Sequence, residues 1–196
     1  MNLKVGLEIH QQLATKKLFC NCSSELTEYE SPKIERKLRV TKSELGEIDA
    51  AATETALKQL VYIYDAPYET CLVEADEEPP HELNKEALKI GIMVSKMLHC
   101  KIVDELHVMR KIVIDGSNTT GFQRTALLAM NGYLEIGTRK IGIPTVCLEE
   151  EAARKINEED GKIYYRLDRL GIPLIEIATD ATIDTPELAR DVALKI

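Results

Sequence analysis

Apolar and polar positions alternate over residues 3–13, with Leu3, Val5, Leu7, Ile9 and Leu13 on one side and Lys4, Glu8, His10 and Gln12 on the other. A period of two is the signature of a half-buried strand. Residues 20–50 are polar and charged, and Cys20, Asn21, Cys22, Ser23 and Ser24 predict a loop ahead of a helix over 49–64. Asn84 is a helix-capping residue type, and Ala87, Ile90, Val94, Met97 and Leu98 follow at helical spacing, which predicts a helix over 84–99. Residues 108–114 read as a strand. The run DGSNTTGFQRT, 115–125, reads as a loop with exposed backbone N–H groups. Residues 133–136 and 140–148 read as the two arms of a hairpin turning at Gly137 and Thr138, and IPLIEIA, 172–178, as another alternating strand. Thr185 can cap a last helix with Pro186 at its first position. That helix meets no stop signal before Ile196, so the chain is expected to be part of a longer protein. No repeat or linker divides the sequence, which predicts one α+β domain.

Composition narrows what this domain can do. A chain of 196 residues with 44% hydrophobic content can bury a real core. Its net charge of −8 and pI near 5.2 exclude a general clamp for a phosphate backbone. No apolar run is long enough to span a bilayer, and the N-terminus lacks the basic start and apolar core of a secretory signal. Five irregularly spaced cysteines in such a chain favour reduced thiols and a cytoplasmic setting.

The candidate chemistry lies in acidic residues that interrupt apolar strand faces. Glu8 and His10 share one strand face with Cα atoms roughly 7 Å apart. In the strand ending CLEEE the row is Val146, Leu148, Glu150, and in IPLIEIA it is Leu174, Glu176. A carboxylate in a buried row costs several kcal/mol unless it is paired or bound to a cation. Glu8, His10, Glu150 and Glu176 together make a set of mainly oxygen donors, which suits Mg²⁺ or Mn²⁺ better than Zn²⁺. The opposing reading makes Glu149, Glu150 and Glu151 a solvated acidic edge and pairs Glu176 with Arg166 or Arg169.

The 115–125 loop could cradle phosphate through its backbone, with Arg110, Lys111 and Arg124 supplying positive charge. It could equally be an ordinary surface loop. No common phosphate-loop, dinucleotide or kinase motif is present, so an ATP site here would be of another type. Cys20, Cys22 and Cys71 with one further ligand could hold a structural zinc, but one intervening residue between the first two is short for zinc, and free or buried thiols are expected. Cys100 and Cys147 read as packing residues, and His81, His99 and His107 receive no role. With no nucleophile elbow and no cysteine–histidine pair, nitrogen chemistry would need a partner protein. Lys33, Arg36, Lys37, Arg39 and Lys42, interleaved with Glu35 and Glu44, read as a solvated face.

The segments VGLEIHQQLATKKLFCNCSSEL, EADEEPPHELN, MRKIVIDGSNTTGFQRTALLA, CLEEEAARKI and YRLDRLGIPLIEIATD occur in this order over nearly the whole chain. They resemble the GatB/GatE family of glutamyl-tRNA(Gln) amidotransferases, which has archaeal and bacterial branches. The resemblance implies a cradle-shaped kinase and amide-transfer domain built on a mainly antiparallel sheet with flanking helices. It implies Mg²⁺ at positions matching Glu8, His10, Glu150 and Glu176, with Glu150 and Glu176 also catalytic. It further implies ATP, with Ser117, Asn118, Thr119 and Arg124 as nucleotide candidates, and Arg110, Lys111, Asp168 and Arg169 as charged positions near the site. The implied reaction phosphorylates the γ-carboxylate of glutamate carried by tRNA(Gln), then transfers ammonia from a separate asparaginase-like glutaminase partner in a hetero-oligomer. Family members are longer and grip tRNA with an inserted domain and C-terminal domains, so residues 1–196 are expected to bind tRNA weakly or not at all. Bacterial members often carry C-x-x-C zinc pairs after the first strand, where this chain has Cys20-x-Cys22. The alternatives left open are a metal-dependent phosphohydrolase using the same acidic residues and a non-catalytic assembly module.

Overall fold

The computed structural model describes residues 3–37, 40, 42–43, 45–48, 50–57 and 60–196. In chain order the elements are β1 (Glu8–Gln12), β2 (Lys33–Arg36), α1 (Ala50–Leu57), β3 (Val61–Asp65), α2 (Lys85–Met97), β4 (Lys101–Ile102), β5 (Val108–Ile112), β6 (Phe122–Ile136), β7 (Arg139–Glu150), β8 (Arg154–Glu159), β9 (Lys162–Arg166), β10 (Pro173–Ala178) and α3 (Pro186–Lys195). The larger sheet runs β1-β10-β7-β6, and β4 and β5 both pair with β6; all of these pairs are antiparallel. The smaller sheet runs β2-β3-β9-β8, with a parallel pair only between β3 and β9. The fold is thus α+β and mainly antiparallel, as expected. No described helix is long and apolar enough to cross a membrane.

Helix α2 starts where Asn84 predicts, because the Asn84 side chain accepts hydrogen bonds from the N–H groups of Glu86 and Ala87. Its buried face is Ala87, Gly91 and Ser95, all small, so the helix lies close against the sheet. A Cβ on Gly91 would sit 2.4 Å from Leu128 Cδ1. Met97, expected on the inner stripe, is exposed instead, because this close approach rotates the stripe onto the small residues. Thr185 caps α3 through Leu188 N–H, and Leu188 and Val192 face inward. The main core joins these helices to one face of the larger sheet through Leu128, Val146, Leu148, Ile175 and Ile177. Each such side chain contributes about 1.5–3 kcal/mol when fully buried.

Three segments depart from expectation. The helix anticipated over 49–64 ends at Leu57, and Val61–Asp65 is a strand instead, its β-branched and aromatic residues buried between β2 and β9. Asp49, Arg39 and Glu44 lie outside the described residues. Strand β6 begins at Phe122, so the last four residues of the anticipated 115–125 loop are strand, recruited by pairing with β5 and β7. The β8–β9 hairpin was not anticipated, although Asp160 and Gly161, with φ of 48° and 73°, are the Asp-Gly turn that such hairpins favour.

The smaller sheet supports the 115–121 loop. Tyr62, Tyr64 and Tyr165 stack beneath it. Tyr64 and Tyr165 donate their hydroxyls to the carbonyls of Gly116 and Asp115 at 2.8 and 2.9 Å.

Candidate active site

Register decides which acidic residues meet. In the antiparallel ladder His10 lies opposite Glu176, and Glu176 opposite Cys147. Leu174 lies opposite Glu149, which in turn faces Thr125 on β6. Directly opposed residues share a sheet face and alternate residues repeat it, so His10, Glu176, Cys147, Glu149 and Thr125 all project from one face. This is the face away from the helix-covered core.

One ligand atom each from His10, Glu149 and Glu176 lies within 4.8 Å of the other two. His10 Nε2 is 3.0 Å from Glu176 Oε2. Lys111 on β5 spans the two carboxylates, donating to Glu149 Oε1 at 3.3 Å and Glu176 Oε2 at 3.4 Å. Thr125 Oγ1 adds a bond to Glu149 Oε1 at 3.0 Å. Burial pulls Glu176 upward, but the hydrogen bonds and charges of His10 and Lys111 outweigh it and hold its carboxyl below the usual range. Burial likewise opposes the charge on Lys111, and the Glu149 and Glu176 carboxylates more than restore it. Two anionic oxygen donors and an imidazole form a set that fits a hard divalent cation, with further positions left for water or phosphate oxygens.

Glu150 does not join them. It shares a face with Val146 and Leu148, as read from the sequence, and that face is the core, opposite to His10 and Glu176. There its carboxylate accepts from Arg124 N–H at 3.0 Å and from Arg124 Nη1 at 3.1 and 3.2 Å. Burial pushes its pKa up against the pull of Arg124. Glu149, one residue earlier, takes the expected place of Glu150. Neither belongs to a solvated edge, since they are 1% and 4% exposed. Glu8 lies on the His10 face but is exposed and outside the three-residue cluster.

The remaining candidates separate in the same way. Arg110 lies opposite Arg124, on the other face from Lys111, with its guanidinium 5.5 Å from the Phe122 ring. Arg124 is committed to Glu150 and stacks over Phe19 and Phe122. Asp168 is fully buried and accepts from Arg154 Nε and Nη2 and from the N–H groups of Thr27 and Arg169. Arg169 donates to the carbonyls of Ala152 and Ala153. Arg166 turns to Tyr29 O and Asp65, so neither arginine proposed as a partner for Glu176 is placed there. Asp168 and Arg169 therefore tie the 151–154 segment to 167–169 and do not join the cluster.

Ser117, Asn118 and Thr119 are buried. Ser117 binds Asp115, and Thr119 Oγ1 donates to Glu74 O at 2.6 Å. Asn118 Nδ2 has no hydrogen-bond partner among the described residues, and Asn118 lines a cavity of about 10 Å³ together with Glu74, Arg124 and Glu150. The loop is thus a packed connector between the sheets.

The model of the GatB/GatE catalytic domain matches residues 3–196. The E-type chain of the glutamyl-tRNA(Gln) amidotransferase from Archaeoglobus fulgidus is 57% identical over 199 residues, covering 100% of this chain and 32% of its own. Its counterparts from Aeropyrum pernix and Sulfurisphaera tokodaii are 57% and 58% identical, again over 100% of this chain and 31% of their own length. The chain spans about a third of the length of these curated relatives. With nearly all of its residues matched by one family model, the chain belongs to the GatB/GatE catalytic-domain family.

Proposed function

We propose that this chain carries the ATP-dependent step that converts glutamate esterified to tRNA(Gln) into glutamine. The γ-phosphoryl group of ATP passes to the side-chain carboxylate, giving ADP and an acyl phosphate. Ammonia then attacks the carbonyl carbon, phosphate leaves with the C–O bond electrons, and the nitrogen loses a proton. A carboxylate is a poor acyl donor, and phosphorylation supplies the leaving group it lacks.

The observation that carries this reading is the convergence of His10, Glu149 and Glu176. These residues would hold Mg²⁺, with Glu8 next along the β1 face. When bound there, the ion would offset the charge of phosphate and carboxylate oxygens. Lys111, about half exposed, adds a positive charge on the same face, where it can meet anionic oxygens of the substrate. Thr125 fixes the rotamer of Glu149.

The relatives from Archaeoglobus fulgidus and Aeropyrum pernix are glutamyl-tRNA(Gln) amidotransferase subunits, which supports the substrate. Ammonia would come from an asparaginase-like glutaminase partner in a cytoplasmic hetero-oligomer. The tRNA body would be held by parts of the longer polypeptide beyond residues 1–196, in keeping with a net charge of −8.

The test is Glu149→Gln in the complete amidotransferase. ATP-dependent phosphorylation of the glutamyl group and amide formation should fall by at least about 100-fold, on the scale of a lost transition-state electrostatic contact. Glutaminase activity of the partner should persist. Unchanged amidation would overturn the assignment.

A further inference from the structure

The sheet face that carries His10 continues past the cluster. Gln12 follows His10 on the same face of β1, roughly 7 Å further along the strand. Strand register puts it in one cross-strand row with Leu174 and Glu149. Its Nε2 donates to Glu151 Oε2 at 2.9 Å, and the other oxygen of that carboxylate accepts from Ala152 N–H at 3.1 Å. The backbone beneath is fixed as well. Glu151 N–H bonds the Ile172 carbonyl at 2.8 Å, and Gly171 N–H bonds the Glu151 carbonyl at 3.0 Å. The Glu151 carboxylate is therefore held at both oxygens, but by neutral donors. Among the described residues no lysine, arginine or histidine pairs with this half-buried charge.

The chemistry of the pair restricts what it can bind. With Nε2 committed to Glu151, Gln12 has only its carbonyl oxygen to offer, and Glu151 has only carboxylate lone pairs. Both are acceptors and one is anionic, so their ligand is a cationic donor.

We propose that Gln12 and Glu151 bind the α-ammonium group of the glutamyl residue while its γ-carboxylate lies at His10, Glu149 and Glu176. This rests on the amidation reading above. The α-ammonium is the one cation that the glutamyl group carries. About 5 Å separates the γ-carboxyl carbon from the α-nitrogen in an extended glutamyl group, a span that with its contact distances reaches acceptors roughly 7 Å along β1. Anchoring both ends holds the reacting carboxylate in one position. It also makes the site select tRNA that carries a free α-amine.

The test compares two substrates of the complete amidotransferase. One is Glu-tRNA(Gln); the other is tRNA(Gln) charged with 2-hydroxyglutarate, in which a neutral hydroxyl replaces the ammonium at nearly the same size. The wild type should prefer the glutamyl form by at least about 30-fold in kcat/KM. Glu151→Gln should cut that preference to within about threefold, by slowing the glutamyl substrate and leaving the hydroxy analogue unchanged. Gln12→Leu, which frees Glu151 to turn, should lose part of the preference. Mn²⁺ affinity should stay within about twofold in both variants, because neither residue is placed as a ligand. A pair that only staples β1 to the 151–152 segment would lower the thermal midpoint and keep the preference intact, and that result overturns the proposal. Equal use of the two substrates by the wild type overturns it too, with the amidation reading left standing. A wild type that amidates neither substrate overturns both.

Discussion

Glu149 and Glu150 are consecutive residues of β7 and point to opposite faces of the same sheet, one toward Lys111 and Thr125, the other toward Arg124. Their neutral variants should therefore fail in different ways. Glu149→Gln should weaken Mn²⁺ binding, followed by electron paramagnetic resonance, more than about tenfold, with little change in the urea midpoint. Glu150→Gln should lower the midpoint and leave Mn²⁺ affinity within about twofold. If Glu150→Gln abolished ion binding while Glu149→Gln did not, the faces would be assigned wrongly.

Arg124 is the charge that makes Glu150 tolerable in the core. Removing one partner of a buried pair leaves the other uncompensated, which typically costs about 3–5 kcal/mol. Arg124→Ala should show a loss of this size in urea unfolding. Arg124→Ala combined with Glu150→Leu should recover part of it, since no lone carboxylate then remains.

Asp168 gives a pH test. Burial raises its pKa, but the hydrogen bonds from Arg154 and the N–H groups of Thr27 and Arg169, with the Arg154 charge, outweigh that and hold it below the ordinary aspartate value of 3.8. A depressed folded-state pKa contributes stability that is complete above the unfolded value and lost as pH falls through the folded one. The stability gap between wild type and Asp168→Asn should be constant above about pH 5 and narrow toward about pH 2. A gap that widened on acidification would contradict the sign of the shift.

Gly116 has φ of +83°, and an added Cβ would sit 2.1 Å from Tyr62 Cε1. Backbone strain and overpacking should make Gly116→Ala cost about 2–4 kcal/mol. Hydrogen exchange should show the loss first in residues 115–121, because their support is the tyrosine stack. An unchanged exchange pattern would mean that the stack does not hold the loop.

Much of the fold was legible in local pattern. Helix α2 follows from Asn84 and the periodicity behind it, α3 from Thr185 and Pro186, and the β6–β7 hairpin from Gly137, which adopts φ of 59°. These depend on interactions within a few residues. The smaller sheet was harder to see because Val61–Asp65 gains its strand character from β2 and from the distant β9. The reading of 49–64 as one helix failed for that reason.

The sequence by itself determined that acids interrupt apolar rows, that Glu8 and His10 share a face, and that Val146, Leu148 and Glu150 share another, since side-chain alternation is a property of each strand alone. Only the tertiary structure decided which rows meet. Pairing Glu176 with Cys147 rather than with a neighbour of the other parity turns Glu149 toward His10 and sends Glu150 into the core. Strand register, set by the packing of the whole sheet, chose between two adjacent glutamates of identical chemistry.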